Sequence, residues 1–322
     1  MIQTRLTAML GIEHPIVMGG MMYTGTAELA ATVSAAGGLG MITAANYPSP
    51  TELKAGIEKL RRLTDKPFGV NVTLMPSFRQ MDRGALVDTA VAQGAAAIEF
   101  AGPDTLQYYE RIKTAGTTKI IHKCAYARHA LAAEEKGADA VAIIGYEAGG
   151  APPMDEVTTF LQVPLLADVL KVPLLAGGGI GDARGFVAAL ALGADGVLVG
   201  TRFMACTESP VHPAIKEAIV RAKASDTMIV KAMIGIGERV LKNEMASKVR
   251  AMEETGANLE ELKEFIVGER ARRSWETGSL EDAVLPMGQV IGLIREIKTV
   301  REVIEEMITG AEAIRRRLFP TV

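Results

Sequence analysis

The chain has 322 residues, 48% of them hydrophobic and 23% charged, a balance that suits one large globular unit or a large unit with a smaller companion. A formal net charge of −3 gives no general attraction to nucleic acid or to an anionic membrane, so any basic site must be local. No apolar run reaches the roughly 20 residues of a membrane-spanning helix, and Met1-Ile2-Gln3-Thr4-Arg5 lacks the layout of a secretory signal, so a cytoplasmic protein is expected.

Pro15-Ile16-Val17-Met18 is apolar and ends at Gly19-Gly20-Met21, which predicts a buried first strand with a glycine loop at its C-terminal end. Thr26 is placed to cap a helix over 27–36 that Gly37-Gly38 stops. Residues 39–43 form the second predicted strand, 50–63 the second helix and 68–74 the third strand. The unit repeats through helix 84–94, strand 96–100, helix 104–115, strand 118–123, helix 126–136, strand 139–144, helix 155–170, strand 173–177, helix 182–192 and strand 195–200. Eight strands alternating with helices, without a long antiparallel section, predict an α/β fold. It is a parallel sheet closed into a (β/α)8 TIM barrel rather than an open doubly wound sheet.

After Thr201 the pattern changes. Residues 212–284 show helical periodicity over 214–224, 228–248 and 259–273 and no strands, which predicts a small C-terminal helical subdomain after a barrel over 1–211. Leu285-Pro286-Met287-Gly288-Gln289 then leads into a long helix within 285–322, with apolar residues from Val290 to Ile314 at spacings of three and four. That face must pack on the barrel, the subdomain or a second subunit, so a homodimer is an open expectation. The basic tail Arg315-Arg316-Arg317 reads as a solvated helix end.

Reactive groups in such a barrel lie at the C-terminal strand ends. Here those ends carry glycines and small residues, with no Ser/His/Asp grouping, no useful carboxylate pair and no metal-ligand cluster, which suits a cofactor that brings its own reactivity. Cys124 and Cys206 stand in no ligand spacing and read as two free thiols, and the four histidines are scattered, so no metal is expected. Gly177-Gly178-Gly179 and Gly200-Thr201 each end a short apolar run, and their bare N–H groups form a phosphate cradle unless the glycines serve only as tight turns. Lys123 ends the apolar run Ile120-Ile121-His122. It either sets a positive charge beside a flavin's N1–C2=O edge, where negative charge collects on reduction, or snorkels to solvent. Asn71 is the polar exception in the third strand, free to bond a ring edge or a neighbouring backbone group. Glu147 reads as a loop carboxylate in water, and His122 as alternating outward from Lys123 toward the helices.

Gly19-Gly20-Met21, Phe68-Gly69-Val70-Asn71, His122-Lys123-Cys124, Glu147-Ala148-Gly149-Gly150, Gly177-Gly178-Gly179 and Gly200-Thr201-Arg202-Phe203 resemble, in order and spacing, the nitronate monooxygenase family, formerly called 2-nitropropane dioxygenases. The resemblance covers nearly the whole chain, including Leu285 to Gln289. It implies an FMN-dependent TIM-barrel oxidoreductase acting on a small molecule, with NADH or NADPH as a possible co-substrate. It further implies phosphate held at Gly178, Gly179, Gly200 and Thr201, and the flavin ring or its tail lined by Gly20, Met21, Asn71, Lys123, Gly149 and Gly150. Met22, Pro76 and Gln289 are the implied substrate contacts. Relatives on the same scaffold include flavin-dependent enoyl-acyl-carrier-protein reductases and NADH:quinone reductases, and Thr73-Leu74-Met75-Pro76 with His122-Lys123-Cys124 is most similar to the latter.

One position departs. Where the family carries a histidine, directly after Glu-Ala-Gly-Gly, this chain has Ala151, which can neither take a proton nor donate a hydrogen bond. Oxidation of a nitronate, already deprotonated, survives that change, whereas proton abstraction from a neutral nitroalkane and enoyl reduction are put in doubt. Glu147, Tyr146 and His122 are the available substitutes. Three readings follow: an FMN oxidoreductase that oxidises alkyl nitronates with oxygen; an NAD(P)H-dependent reductase of quinones or activated alkenes; and a non-redox barrel that binds a phosphorylated metabolite.

Overall fold

The computed structural model describes residues 2–47, 49–75, 81–103, 105–233, 235 and 237–319. A short helix, α1 (Arg5–Leu10), opens the chain, capped by Thr4 and closed by Gly11 in the left-handed region. Eight strands follow: β1 (Ile16–Met18), β2 (Gly40–Thr43), β3 (Phe68–Thr73), β4 (Ala97–Ala101), β5 (Lys119–Cys124), β6 (Ala140–Ile144), β7 (Leu174–Gly177) and β8 (Gly196–Val199). Between them run α2 (Ala27–Ala35), α3 (Pro50–Leu63), α4 (Arg83–Ala92), α5 (Leu106–Ala115), α6 (Ala127–Glu135), α7 (Thr159–Ala167) and α8 (Ala183–Ala191). Thr26, Ser49, Asp82 and Asp182 start four of these helices by accepting first-turn N–H groups, and Pro50 adds its preset φ to the second of them.

The strands lie in the order β1-β8-β7-β6-β5-β4-β3-β2 and every pair is parallel. Leu39 closes the ring: its N–H donates to the Ile16 carbonyl and its carbonyl accepts from the Met18 N–H, both at 2.9 Å. The chain is a (β/α)8 TIM barrel. Ile42, Val70, Ile98, Phe100, Ile121, Val141 and Val197 are fully buried, as strands covered on both faces require. α2 lies so close to β2 that a Cβ on Gly40 would sit 1.8 Å from the Ala30 carbonyl oxygen, which leaves only glycine at that position.

Beyond the barrel come α9 (Thr201–Met204), α10 (Pro213–Arg221), β9 (Thr227–Val230), β10 (Glu238–Leu241), α11 (Glu244–Glu254), α12 (Leu259–Ile266), α13 (Gly268–Thr277), a 3-10 turn over Gln289–Leu293 and α14 (Val300–Leu318). Two expectations are corrected here. Residues 228–248 do not form one helix: β9 and β10 pair as an antiparallel hairpin, because Val230 and Val240 bury against Ala246, Val249, Leu262 and Val284. The final helix begins at Val300, not near Val290. Ile291 and Ile294 pack with Ile215, Ile219, Trp275 and Leu285, whereas Val300, Val303, Ile304, Met307 and Ala311 join the barrel core, and one straight helix could not reach both. Thr299 and Glu302 restart it with a capping box. The apolar face of α14 is therefore covered by the barrel, chiefly by α8. Both cysteines are free and buried, and among the described residues no helix is long and apolar enough to cross a membrane.

Candidate functional site

Alternation along adjacent strands sends Asn71 of β3, Glu99 of β4 and Lys123 of β5 to the same face of the sheet, at the C-terminal end of the barrel. They meet at one atom. Glu99 Oε1 accepts from Asn71 Nδ2 at 2.8 Å, from Lys123 Nζ at 2.9 Å and from the Gly20 N–H at 3.3 Å. Glu99 is fully buried, and its second oxygen, Oε2, has no hydrogen-bond partner among the described residues. Gly20 is pressed against this cluster: a Cβ there would lie 2.1 Å from Asn71 Cγ. The next N–H, that of Met21, donates to Thr43 Oγ1 at 2.9 Å, and the Met21 sulfur lies 3.8 Å from where a Cβ of Gly200 would be. The β1 loop thus bridges the ionic cluster and the loop after β8.

The glycine cradle is built from the loops after β6, β7 and β8. Gly178 and Gly179 have φ of +101° and +73°, a region L side chains rarely enter. A Cβ on Gly178 would also meet Thr159 Oγ1 at 2.9 Å. The backbone N–H groups of Gly178, Gly179 and Gly200 donate to nothing among the described residues, so three donors remain for an anion. Asp182 already caps α8 through the N–H groups of Arg184 and Gly185, so the unspent donors belong to the glycine loops and not to that helix. Thr201 Oγ1 accepts from the Gly288 N–H at 3.0 Å, which leaves its own N–H as its contribution to the cradle. Gly288 lies back to back with the β6 loop: a Cβ on Gly149 would be 2.6 Å from Gly288 N, and the Gln289 N–H donates to the Glu147 carbonyl at 2.9 Å. Gly150 exchanges two backbone hydrogen bonds with Arg239 of β10 and presents its α-carbon to open space.

The structure therefore brings Gly20, Met21, Asn71 and Lys123 together, and Gly149, Gly150, Gly178, Gly179, Gly200 and Thr201 around them. Met22 is exposed at the mouth, Gln289 is half-buried beside Glu147, and Pro76 lies outside the described residues. Glu147 is not a carboxylate in water: its Oε2 accepts from the Thr159 N–H at 3.0 Å and lies 3.1 Å from the Thr159 hydroxyl, because the β6 loop folds back onto the first turn of α7. His122 does point outward, where Nδ1 meets the Tyr109 hydroxyl at 2.6 Å, and burial, with smaller pushes from Lys136 and His129, pulls its pKa down to about 4. Tyr146 directs its hydroxyl to Glu156 at 3.2 Å. With these three engaged elsewhere and Ala151 exposed, position 151 itself offers no base. Two further residues shape the site. Glu99 was legible as the lone carboxylate of an apolar strand. Arg239 gave no signal: it is buried, stacks 4.6 Å over the Tyr146 ring and donates from Nε to the Tyr146 carbonyl at 3.0 Å.

A sequence model of the nitronate monooxygenase family matches residues 3–310. The chain belongs to the nitronate monooxygenase family. Within that neighbourhood it is 33% identical to a probable nitronate monooxygenase of Staphylococcus aureus, over 78% of this chain and 81% of the relative. It is 31% identical to the (3aS,4S,5R,7aS)-5-hydroxy-7a-methyl-1-oxo-octahydro-1H-indene-4-carboxyl-CoA dehydrogenase of Rhodococcus jostii, covering 98% of this chain and 97% of the relative. The solved structure of FabK from Thermotoga maritima superposes with a TM-score of 0.92 at 40% identity, covering 99% of each chain. Membership of the nitronate monooxygenase family makes the protein a flavin-dependent oxidoreductase, and the non-redox reading falls with it.

Proposed function

We propose that the barrel mouth binds FMN and that the protein oxidises alkyl nitronates with oxygen. The observation that carries this reading is the set of unspent N–H groups on Gly178, Gly179 and Gly200, beside a buried ionic cluster that keeps one carboxylate oxygen unpartnered. Gly178, Gly179, Gly200 and Thr201 would hold the phosphate through the backbone. Gly20, Met21, Asn71, Lys123, Gly149 and Gly150 would line the ring and its tail, with Met22 and Gln289 toward the substrate. When bound, FMN supplies a two-electron acceptor that oxygen regenerates. Ala151 bears on the protonation state of the substrate: an alanine directly after Gly150 takes no α-proton, and a nitronate, whose α-proton is already gone, needs none taken there.

A second reading is NAD(P)H-dependent reduction of a quinone or an activated alkene, of which electron transfer to a quinone also needs no base at position 151. It is favoured by the Rhodococcus relative, which is named for the dehydrogenation of a carboxyl-CoA compound. Anaerobic mixing of the FMN-loaded protein with a nitronate, NADH and NADPH in separate runs distinguishes the two. Rapid bleaching of the flavin by the nitronate alone is the expected result; bleaching by NADH or NADPH alone would replace the first reading with the second.

A further inference from the structure

α7 carries no charged residue from Thr159 to Ala167, and its inner face, Thr159, Gln162, Val163 and Leu166, is buried in the barrel. Its outer face is equally apolar. Phe160 is 65% exposed, Leu161 56%, Leu165 62% and Val169, just past the helix end, 53%. Leu161, Leu165 and Val169 are four residues apart and form one stripe, with Phe160 beside it and the exposed Leu131 on the neighbouring α6. A helix that is apolar all round is ordinarily buried all round. Together these side chains form one contiguous apolar patch rather than scattered single exposures, the kind of surface that marks an interaction site.

We propose that this face is the two-fold interface of a homodimer, with α7 packed antiparallel on α7 of a second copy. The ends of the helix fit an identical partner. Asp155 and Glu156 precede it and Lys171 follows it, all exposed, so a two-fold axis through the helix centre sets the acidic end of each copy against the lysine of the other while the stripe meets itself. An anionic membrane would require a basic rim; this rim, with Asp155, Glu156 and Asp168 against Lys171, is acidic on balance. The interface lies on the back of the helix that shapes the cradle, since the Thr159 hydroxyl lies within 3.0 and 3.1 Å of the Gly177 and Gly178 carbonyls. The proposal does not depend on which substrate the flavin site takes.

Sedimentation equilibrium at micromolar concentration should give twice the 34.2 kDa chain mass for the wild type and the single mass for Leu165→Asp, with flavin content retained in the variant. Lys171→Glu should weaken association at least tenfold, and Asp155→Lys with Glu156→Lys in the same chain should restore it. Leu165→Cys, close to the axis, should cross-link to its own copy under mild oxidation, because Cys124 and Cys206 are buried. A wild-type chain that sediments as a monomer, a Leu165→Asp variant that keeps the dimer mass, or a dimer that Leu165→Cys fails to cross-link overturns the proposal. So does a monomer that captures only a different protein through this face.

Discussion

Glu99 Oε1 gathers the Lys123 ammonium, the Asn71 amide and the Gly20 N–H, so the barrel mouth contains a balanced ion pair and not a lone cation. Removing one member strands the other. Lys123→Met should cost about 3 kcal/mol in urea denaturation, and Lys123→Met with Glu99→Gln should recover most of it. The same pair of variants should lower the flavin reduction potential and then return it toward the wild-type value, because local charge and not lysine identity sets it. Gly179 tests the cradle separately. A Cβ there meets Glu147 only at ordinary contact distance, 3.6 Å, so Gly179→Ala pays the left-handed backbone cost of about 1–2 kcal/mol and still folds. Its flavin content, read by absorbance, should fall steeply. His122 carries the pH dependence: it is neutral in both folded and unfolded chains above 6.5, and between 6.5 and about 4 only the unfolded chain takes up the proton. Stability should therefore drop on acidification through that window, by up to about 3 kcal/mol, and the drop should flatten in His122→Gln. Lys123 and Asn71 were legible as polar exceptions in apolar strands. Their meeting at Glu99 was not, because it depends on the register of three strands that no single segment encodes.

Among the elements, the repeating βα units announced themselves because each strand is a short apolar run and four of the intervening helices open on a capping side chain. The hairpin of β9 and β10 did not. Its two four-residue strands sit in a stretch whose apolar spacing also fits a helix, and only burial of Val230 and Val240 under α11 and α12 decides between them. Arg239, on the second of those strands, ties the hairpin to the β6 loop through Gly150 and the Tyr146 carbonyl, while its Nη1 donates to Thr227 Oγ1 of β9 within the hairpin. Arg239→Met removes the two side-chain bonds and should destabilise the protein by about 2–3 kcal/mol. Hydrogen exchange at residues 146–150 should rise in that variant while β3 to β5 keep their protection. Equal loosening of both regions would mean that Arg239 supports the whole fold and not this loop.

For the whole molecule, the parallel barrel followed from strand count and alternation, whereas its closure rests on details no pattern carries: the Leu39 hydrogen bonds and the contact of Gly40 with Ala30. Gly40→Val should push α2 off β2 and cost more than about 3 kcal/mol, seen as loss of soluble protein or of the cooperative thermal transition. The long-range link between the β6 loop and Gly288-Gln289 has a temporal consequence. On the ribosome, the barrel strands emerge well before residue 289, yet Gly149 and Glu147 reach their final packing only when Gly288 and Gln289 arrive. The nascent barrel must then wait, its mouth half-lined, until about nine-tenths of the polypeptide has been made. Premature termination before Leu285 should yield a chain that collapses around its strands and holds no yellow chromophore.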